Sequence, residues 1–306
     1  MRVAAIDCGT NSIRLLIADI DPIAGTFSEV TRQMLIVRLG EGVDQTGKFS
    51  PDAISRTLDA VSQYAQEIAR YKPERLRFCA TSASRDASNR DLFVDGVNKI
   101  LHVVPEVISG TDEAHLSFLG ATKELPVDEG PFLVVDIGGG STEFVFGTTD
   151  VQAAISVNIG CVRMAERHFQ LDPPNEVELM AARRDIDEAI TKAGLAVPIT
   201  KAKTLVAVAG TATTVAAAAL DLSSYDPEVL HLCRTSATRV HEVAAQFARL
   251  NHAERSALGY LHPGRVDVIA AGALVLSRVM TATGATEFVA SEHDILDGMA
   301  WGLAEG

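Results

Sequence analysis

Two short stretches hold the residue types that binding and attacking a phosphate would need. Asp7-Cys8-Gly9-Thr10-Asn11-Ser12 lies between the apolar runs VAAI and IRLLIADI. Asp136-Ile137-Gly138-Gly139-Gly140-Ser141 lies between LVV and, beyond Thr142 and Glu143, FVFG. The two match at a fixed offset of 129 (136 minus 7). A tight turn of small residues exposes backbone N–H groups that can face an anion, and glycine lets the anion come close. Gly9, Gly138, Gly139 and Gly140 permit that approach, and Thr10, Asn11, Ser12, Ser141 and Thr142 add side-chain donors. A carboxylate beside phosphate makes sense when a divalent cation lies between them. Mg²⁺ takes a few carboxylates, retained waters and phosphate oxygens. Asp7 and Asp136 are candidates to hold such a cation, the alternative being that each caps its own turn.

Three further residues could take part. Glu113 follows Ser109-Gly110-Thr111-Asp112, where a strand-like run becomes a helix; an acid in a first helical turn is also favourable on electrostatic grounds alone. Glu143 is strand-borne. If Ser141 faces a ligand, alternation sends Thr142 away and Glu143 back toward it. The position matching Glu143 in the first stretch is Arg14, so the acid belongs to one copy only. Arg85, in Thr81-Ser82-Ala83-Ser84-Arg85, reads as part of a loop after a strand and could grip phosphate through two N–H bonds. Arg14, Arg38, Arg163 and Arg265 are weaker candidates for that work. His293-Asp294 invites comparison with HD-type phosphohydrolases, but no matching set of His and Asp ligands accompanies it. His231, Cys233 and His241 follow no metal-ligand spacing.

The elements that must position these residues are themselves repeated. Each glycine stretch reads as strand, tight turn, strand. Leu39-Gly40 closes the next strand-like run, MLIVRLG, as Ile159-Gly160 closes AAISVNIG. RFCATSAS around Thr81 resembles VAVAGTATT around Thr211. Two copies of one strand-rich half in the same order imply a duplication with a ligand between the halves. Ser50-Pro51 starts a helix, Ser as N-cap and Pro in the first turn, with an apolar stripe at Ile54, Leu58, Val61, Ala65 and Ile68. Further helices are predicted from near Thr111, over PPNEVELMAARRDIDEAI, from Arg265 to about Thr283, and from Leu296 to Leu303. The polar stretch Glu124-Leu125-Pro126-Val127-Asp128-Glu129-Gly130 marks the boundary. It gives an N-terminal domain over 1–124 and a second over 125–291; the sequence leaves open whether the last helix, 292–306, returns to complete the first.

Composition sets outer bounds. The 306 residues suffice for two domains, with 47% hydrophobic and 22% charged residues as in ordinary globular proteins. No apolar run is long enough to span a bilayer, and the chain enters a strand-like run at once, without a signal-peptide pattern. The expectation is a cytoplasmic protein. The formal net charge of −13 argues against non-specific nucleic-acid binding and against an anionic membrane as partner. Four cysteines, at 8, 79, 161 and 233, form no C-x-x-C pair; buried thiols are expected at the first three.

Taken together, the motifs resemble the exopolyphosphatase/guanosine pentaphosphate phosphatase (Ppx/GppA) family of the actin-like, sugar-kinase and Hsp70 ATPase superfamily. The matching pieces are AAIDCGTNSIRLLIADI, CATSASRDA, VISGTDEAHLSFLG, VVDIGGGSTEFVFG, VAGTATTVAA and GRVDVIAAGALVL, and they cover essentially the whole chain. The resemblance implies an α/β fold of two ribonuclease-H-like domains, mixed sheets flanked by helices, with an inter-domain cleft. It implies Mg²⁺-dependent hydrolysis of a terminal phosphoanhydride, with Mn²⁺ able to replace Mg²⁺. Carried over, Glu113 is the general base and Glu143 assists in placing water or metal. Asp7 and Asp136 hold the metal, mostly through water. Gly9, Thr10, Asn11, Ser12, Gly138, Gly139, Gly140 and Ser141 bind phosphate, and Thr81, Ser82 and Arg85 grip its terminal group. The implied substrate is inorganic polyphosphate, or pppGpp as the alternative, and the implied assembly is a homodimer. The chain stops after the actin-like core, without the C-terminal HD-type helical domain of longer members, which predicts short polyphosphates and low processivity. A superfamily kinase or ATPase, with VAGTATTVAA against adenosine, is disfavoured by SGTDEA and by the lack of a sugar-binding signature. A non-catalytic sensor is disfavoured by the presence of both Glu113 and Glu143.

Overall fold

A computed structural model describes residues 1–305. The chain divides into two compact units. The first runs from Met1 to Gly120 and regains the chain from Ile295; the second is Ala121–Asp294.

In the first unit β1 (Arg2–Cys8), β2 (Ser12–Asp21) and β3 (Thr26–Ile36) form an antiparallel meander. Then come α1 (Val43–Thr46), α2 (Pro51–Tyr71), β4 (Arg75–Ala80), α3 (Ser82–Asp86), α4 (Arg90–Leu101), β5 (Glu106–Val107) and α5 (Gly110–Thr122). The sheet order is β3-β2-β1-β4-β5, with β4 and β5 parallel to β1. A parallel return needs a long crossover, and α2 supplies it. Its start follows the cap chemistry of the sequence: the Ser50 hydroxyl accepts from the Ala53 N–H at 3.1 Å, with Pro51 in the first turn.

The second unit repeats the plan with β6 (Phe132–Ile137), β7 (Thr142–Gly147), β8 (Val151–Val157), α6 (Cys161–His168), the crossover α7 (Glu176–Ala196) and β9 (Thr204–Val208). It continues through α8 (Ala209–Ala219), α9 (Pro227–Leu230), β10 (Arg234–Ser236), α10 (Ala237–Arg249), α11 (His252–Ser256), α12 (Ile269–Thr283) and β11 (Glu287–Ala290). Its order is β10-β11-β9-β6-β7-β8, the same five-strand plan with one antiparallel edge strand added. Both sheets therefore have the mixed ribonuclease-H-like order. The central strands β1 and β6 are buried on both faces, which is why they read as unbroken apolar runs rather than alternating ones.

The last helix, α13 (Ile295–Glu305), belongs to the first unit. Ile295, Leu296, Met299, Ala300 and Trp301 pack with Val3, Ala5, Leu16 and Ile20 of the sheet and with Ile108. Burying each of the larger side chains contributes about 2 kcal/mol. Arg32 on β3 pins the helix through Asp297, Nη2 to Oδ1 at 2.6 Å, and Asp297 is buried.

Three sequence expectations need correction. Arg85 lies on the short helix α3, not in a loop. The helix expected from Arg265 starts at Ile269; Pro263–Arg265 form a separate 3-10 turn capped by His262. The helix over PPNEVELMAARRDIDEAI begins at Glu176, with Asn175 and Glu178 in a capping box, and runs on to Ala196.

Candidate functional site

In each unit the candidate residues gather at the tip of the first hairpin. In the first, the β1–β2 ladder sets Asp7 directly opposite Arg14. Arg14 places Nε at 3.1 Å and Nη2 at 2.7 Å from the same Asp7 oxygen, Oδ2. Asp7 is buried, so this pairing offsets much of its desolvation. The Gly9 N–H donates to the Ser12 carbonyl at 3.0 Å and closes the turn. The turn carbonyls face the protein: Thr10 O accepts from the Gly40 N–H at 2.9 Å, and Asn11 O from Val37 and Arg38 at 3.0 and 2.9 Å. The buried Thr10 hydroxyl has no hydrogen-bond partner among the described residues. Thr81 joins the turn through its N–H, which donates to Cys8 O at 3.1 Å, and leads into Ser82 and Arg85 on α3.

Arg85 and Glu113 are brought together from different helices. Arg85 Nη1 donates to Glu113 Oε2 at 2.7 Å and to the Ile108 carbonyl at 3.1 Å. Glu113 sits in the first turn of α5, where the Ser109 hydroxyl accepts from the Asp112 N–H at 3.1 Å and its own proton goes to the Asp112 carboxylate. A mostly buried carboxylate at a helix N-terminus beside a guanidinium is held in one place, as a group that accepts a proton from water must be.

In the second unit Asp136 stands opposite Glu143 in the β6–β7 ladder. The Gly138–Gly140 turn and the start of α6 satisfy one another. Cys161 donates to Gly138 O at 2.9 Å, Val162 and Arg163 to Gly139 O at 2.9 and 3.1 Å, and Gly160 to Gly140 O at 3.3 Å. Arg163 adds Nε to Gly140 O at 2.6 Å. A helix start leaves N–H groups without intrahelical partners, and here the turn carbonyls take them up. The same arrangement leaves the N–H groups of Gly139 and Gly140 without an acceptor among the described residues, which makes this face of the turn an amide-lined cradle for an anion. The approach needs glycine at 160: a Cβ there would lie 2.3 Å from Gly139 C and O. Gly40 holds the matching place in the first unit, 2.3 Å from Thr10 Cγ2 on the same construction. The sequence displays both glycines at the ends of equivalent runs, but the reason for them is tertiary.

Alternation on β7 is as expected. Thr142 turns away and donates to Ile159 O at 3.0 Å, while Ser141 and Glu143 share the other side. The Ser141 hydroxyl donates to Glu143 Oε1 at 2.7 Å, so its one proton is committed to the acid and its backbone N–H is what can serve a phosphate. Ser156 on β8, which the motifs do not single out, donates to the same oxygen at 2.6 Å. Asp136 and Glu143, hard oxygen donors side by side on neighbouring strands, suit a small divalent cation. Asp7 suits it less, since Arg14 already lies against it.

A second cluster lies in the second unit. Glu124, His231 and His293 offer ligand atoms within 4.8 Å of one another. His231 Nε2 is 2.9 Å from Glu124 Oε2, and His293 Nδ1 is 3.4 Å from Oε1. The Glu292 N–H donates to His231 Nδ1 at 3.2 Å. That bond uses the Nδ1 lone pair, so the ring proton sits on Nε2 and points at Glu124; His231 is then a hydrogen-bond donor, not a metal ligand. Burial works to raise the Glu124 carboxyl, but the hydrogen bond from His231 and the neighbouring imidazoles outweigh it and hold the group below the usual range.

Two duplicated α/β units, each with a mixed sheet that carries a carboxylate beside a turn of small residues at its first hairpin, define a two-domain α/β protein. The sequence profile of the Ppx/GppA phosphatase family matches residues 16–304. The chain is 46% identical to the Exopolyphosphatase 2 of Mycobacterium tuberculosis H37Rv, over 99% of this chain and 98% of that protein. It is 45% identical, with a TM-score of 0.95, to the crystal structure of an exopolyphosphatase-like protein, covering 100% of this chain and 99% of that one. A guanosine-5'-triphosphate,3'-diphosphate pyrophosphatase of Vibrio atlanticus is 37% identical over 55% of this chain and 33% of its own length. The chain belongs to the Ppx/GppA phosphatase family.

Proposed function

We propose that this protein is an exopolyphosphatase that hydrolyses the terminal phosphoanhydride of inorganic polyphosphate and releases orthophosphate. The observation that carries the reading is the end-to-end likeness to Exopolyphosphatase 2. Phosphoryl transfer to water asks for charge neutralisation and an oriented nucleophile rather than covalent help. Glu113, held by Arg85, is the general base for the attacking water. Asp136 and Glu143 would hold Mg²⁺, or Mn²⁺ in its place, with Asp7 contributing through water, and a cation held there would supply charge neutralisation for the transferring group. Gly9, Thr10, Asn11, Ser12, Gly138, Gly139, Gly140 and Ser141 receive phosphate, chiefly through backbone N–H groups in the second turn. Thr81, Ser82 and Arg85 serve the terminal group, so Arg85 exchanges part of its contact with Glu113 for phosphate when substrate arrives. A cytoplasmic homodimer is part of the same proposal; no helix among the described residues is long and apolar enough to cross a membrane.

A second reading, pppGpp 5′-phosphohydrolase, is favoured by the likeness to the Vibrio atlanticus enzyme. Orthophosphate release from sized polyphosphates and from pppGpp, at matched concentrations with Mg²⁺, separates the two. A higher kcat/KM on polyphosphate is expected; a preference for pppGpp moves the assignment to the second reading, and release from neither ends both.

A further inference from the structure

We propose that Arg163 is a positioning residue that sets the Gly140–Ser141 peptide of the second turn, so that the Ser141 N–H is aimed at phosphate. The inference rests on the reading that this turn receives phosphate. A trans peptide unit is planar, so the carbonyl of one residue and the N–H of the next point in opposite directions. Whatever holds the carbonyls of Gly138, Gly139 and Gly140 therefore aims the N–H groups of Gly139, Gly140 and Ser141. The backbone of α6 holds the first two: Cys161 donates to Gly138 O at 2.9 Å, and Val162 and Arg163 to Gly139 O at 2.9 and 3.1 Å. Gly140 O has one backbone donor among the described residues, Gly160, at a long 3.3 Å. Its short bond, 2.6 Å, comes from the Arg163 side chain through Nε. The Ser141 hydroxyl is committed to Glu143, so the backbone N–H is what Ser141 offers an anion.

The donor to Gly140 O is a cation, and Arg163 is buried. A charge-assisted bond is shorter and stronger than a neutral one. It also polarises the peptide it grips, which makes the N–H on the other side a better donor. Burying a cation is costly where packing alone is wanted. The first unit shows that packing here does not call for one. Gly40 matches Gly160, and three residues further on stands the buried Val43, where the second unit has Arg163. In that unit Thr10 O and Asn11 O take backbone donors at 2.9 to 3.0 Å, without an arginine. The guanidinium thus belongs to the turn whose last carbonyl lacks a short backbone donor.

The test compares wild type with Arg163→Met and Arg163→Lys, each ¹⁵N-labelled at glycine and serine and kept in Mg²⁺. Each is titrated by NMR with methylenediphosphonate, a pyrophosphate analogue that water does not cleave. In wild type the amides of Gly139, Gly140 and Ser141 should all shift. In Arg163→Met the Kd should rise about tenfold, and Ser141 should lose most of its shift at saturation. Gly139 and Gly140, whose peptides α6 holds, should keep theirs. Arg163→Lys returns a cationic donor without the fork and should restore the Ser141 shift in part. On polyphosphate, Arg163→Met should raise KM about tenfold with kcat within about threefold. A wild-type Ser141 shift in Arg163→Met, or equal loss at all three amides, overturns the inference and leaves the function reading intact. If Arg163→Met does not fold, Arg163→Gln takes its place and is judged by the same two outcomes. No shift at any of the three amides in wild type overturns the phosphate role of the turn, and the inference with it. If no phosphate substrate is turned over, the function reading fails, and the amide titration still decides the role of Arg163.

Discussion

Replacing Gly160 with alanine tests the construction of the second turn. Gly160 has φ −76° and ψ 161°, a conformation any residue adopts, so alanine brings no backbone strain. Taken alone, the change would stabilise by about 0.4–1 kcal/mol through the unfolded chain. Against this, the new Cβ would lie 2.3 Å from Gly139 C and O and 2.5 Å from Gly140 N, all backbone atoms that cannot rotate aside. The turn and the start of α6 must separate by about 1 Å, an overpacking cost of about 1–3 kcal/mol. The bonds from Gly160, Cys161, Val162 and Arg163 to the turn carbonyls stretch together; losing two or three at about 1 kcal/mol each adds a similar amount. The net is a destabilisation of about 2–6 kcal/mol, or about 4–24 °C in Tm for a unit of this size. A displacement of about 1 Å in a phosphate cradle costs about 100-fold in turnover. Thermal unfolding and orthophosphate release measure both. Gly302→Ala is the control: this exposed position on α13 has no atom within 4 Å of the added Cβ, so stability should hold or rise. Wild-type Tm and wild-type turnover in Gly160→Ala would refute the proposed packing of turn against helix.

Three other outcomes follow from the same structure. Gly40→Ala should be milder than Gly160→Ala, because the atom met is the Thr10 side chain rather than backbone, and side-by-side Tm values check the order. Burial raises the Cys8 and Cys161 thiols and pushes Cys79 up to about 12; alkylation at pH 8 should therefore be slow at all three in the native protein and rapid in urea, read by mass spectrometry. Burial works to raise the Asp172 carboxyl, but the His252 N–H and the buried Arg255 guanidinium outweigh it and hold the group below its usual value. Such a carboxylate stabilises the fold above the ordinary carboxyl range and loses that contribution as pH falls through its folded value. Asp172→Asn should accordingly be less stable than wild type at pH 7, with the gap closing toward about pH 3 in urea titrations.

The parts of the fold set by local chemistry are legible in the sequence. The β1–β2 and β6–β7 hairpins show themselves because their turns share residue types at one offset, and α2 because Ser50-Pro51 is a helix start in any context. The start of α12 is obscured because Val266 and Val268 are apolar yet precede the helix, so the run has no visible boundary. Thr81–Arg85 reads as loop because a five-residue helix is too short to display a period. Long-range pairings leave no trace in spacing. Arg85 meets Glu113 across 28 residues, and His231 meets Glu124 across 107. Ser156 is a lone serine in a strand until the β7–β8 register is known. The motifs locate the candidate residues, whereas their partners, Arg14 on Asp7, Arg85 on Glu113 and two hydroxyls on Glu143, come from the tertiary fold.

The central claim is that Glu113 activates water for attack on a terminal phosphoanhydride. Steady-state orthophosphate release from a sized polyphosphate with Mg²⁺, wild type against Glu113→Gln, tests it most directly when polyphosphate binding is measured on the same samples. In Glu113→Gln, kcat should fall at least about 100-fold with polyphosphate affinity within about threefold of wild type; an unchanged kcat would overturn the assignment of Glu113 as the base.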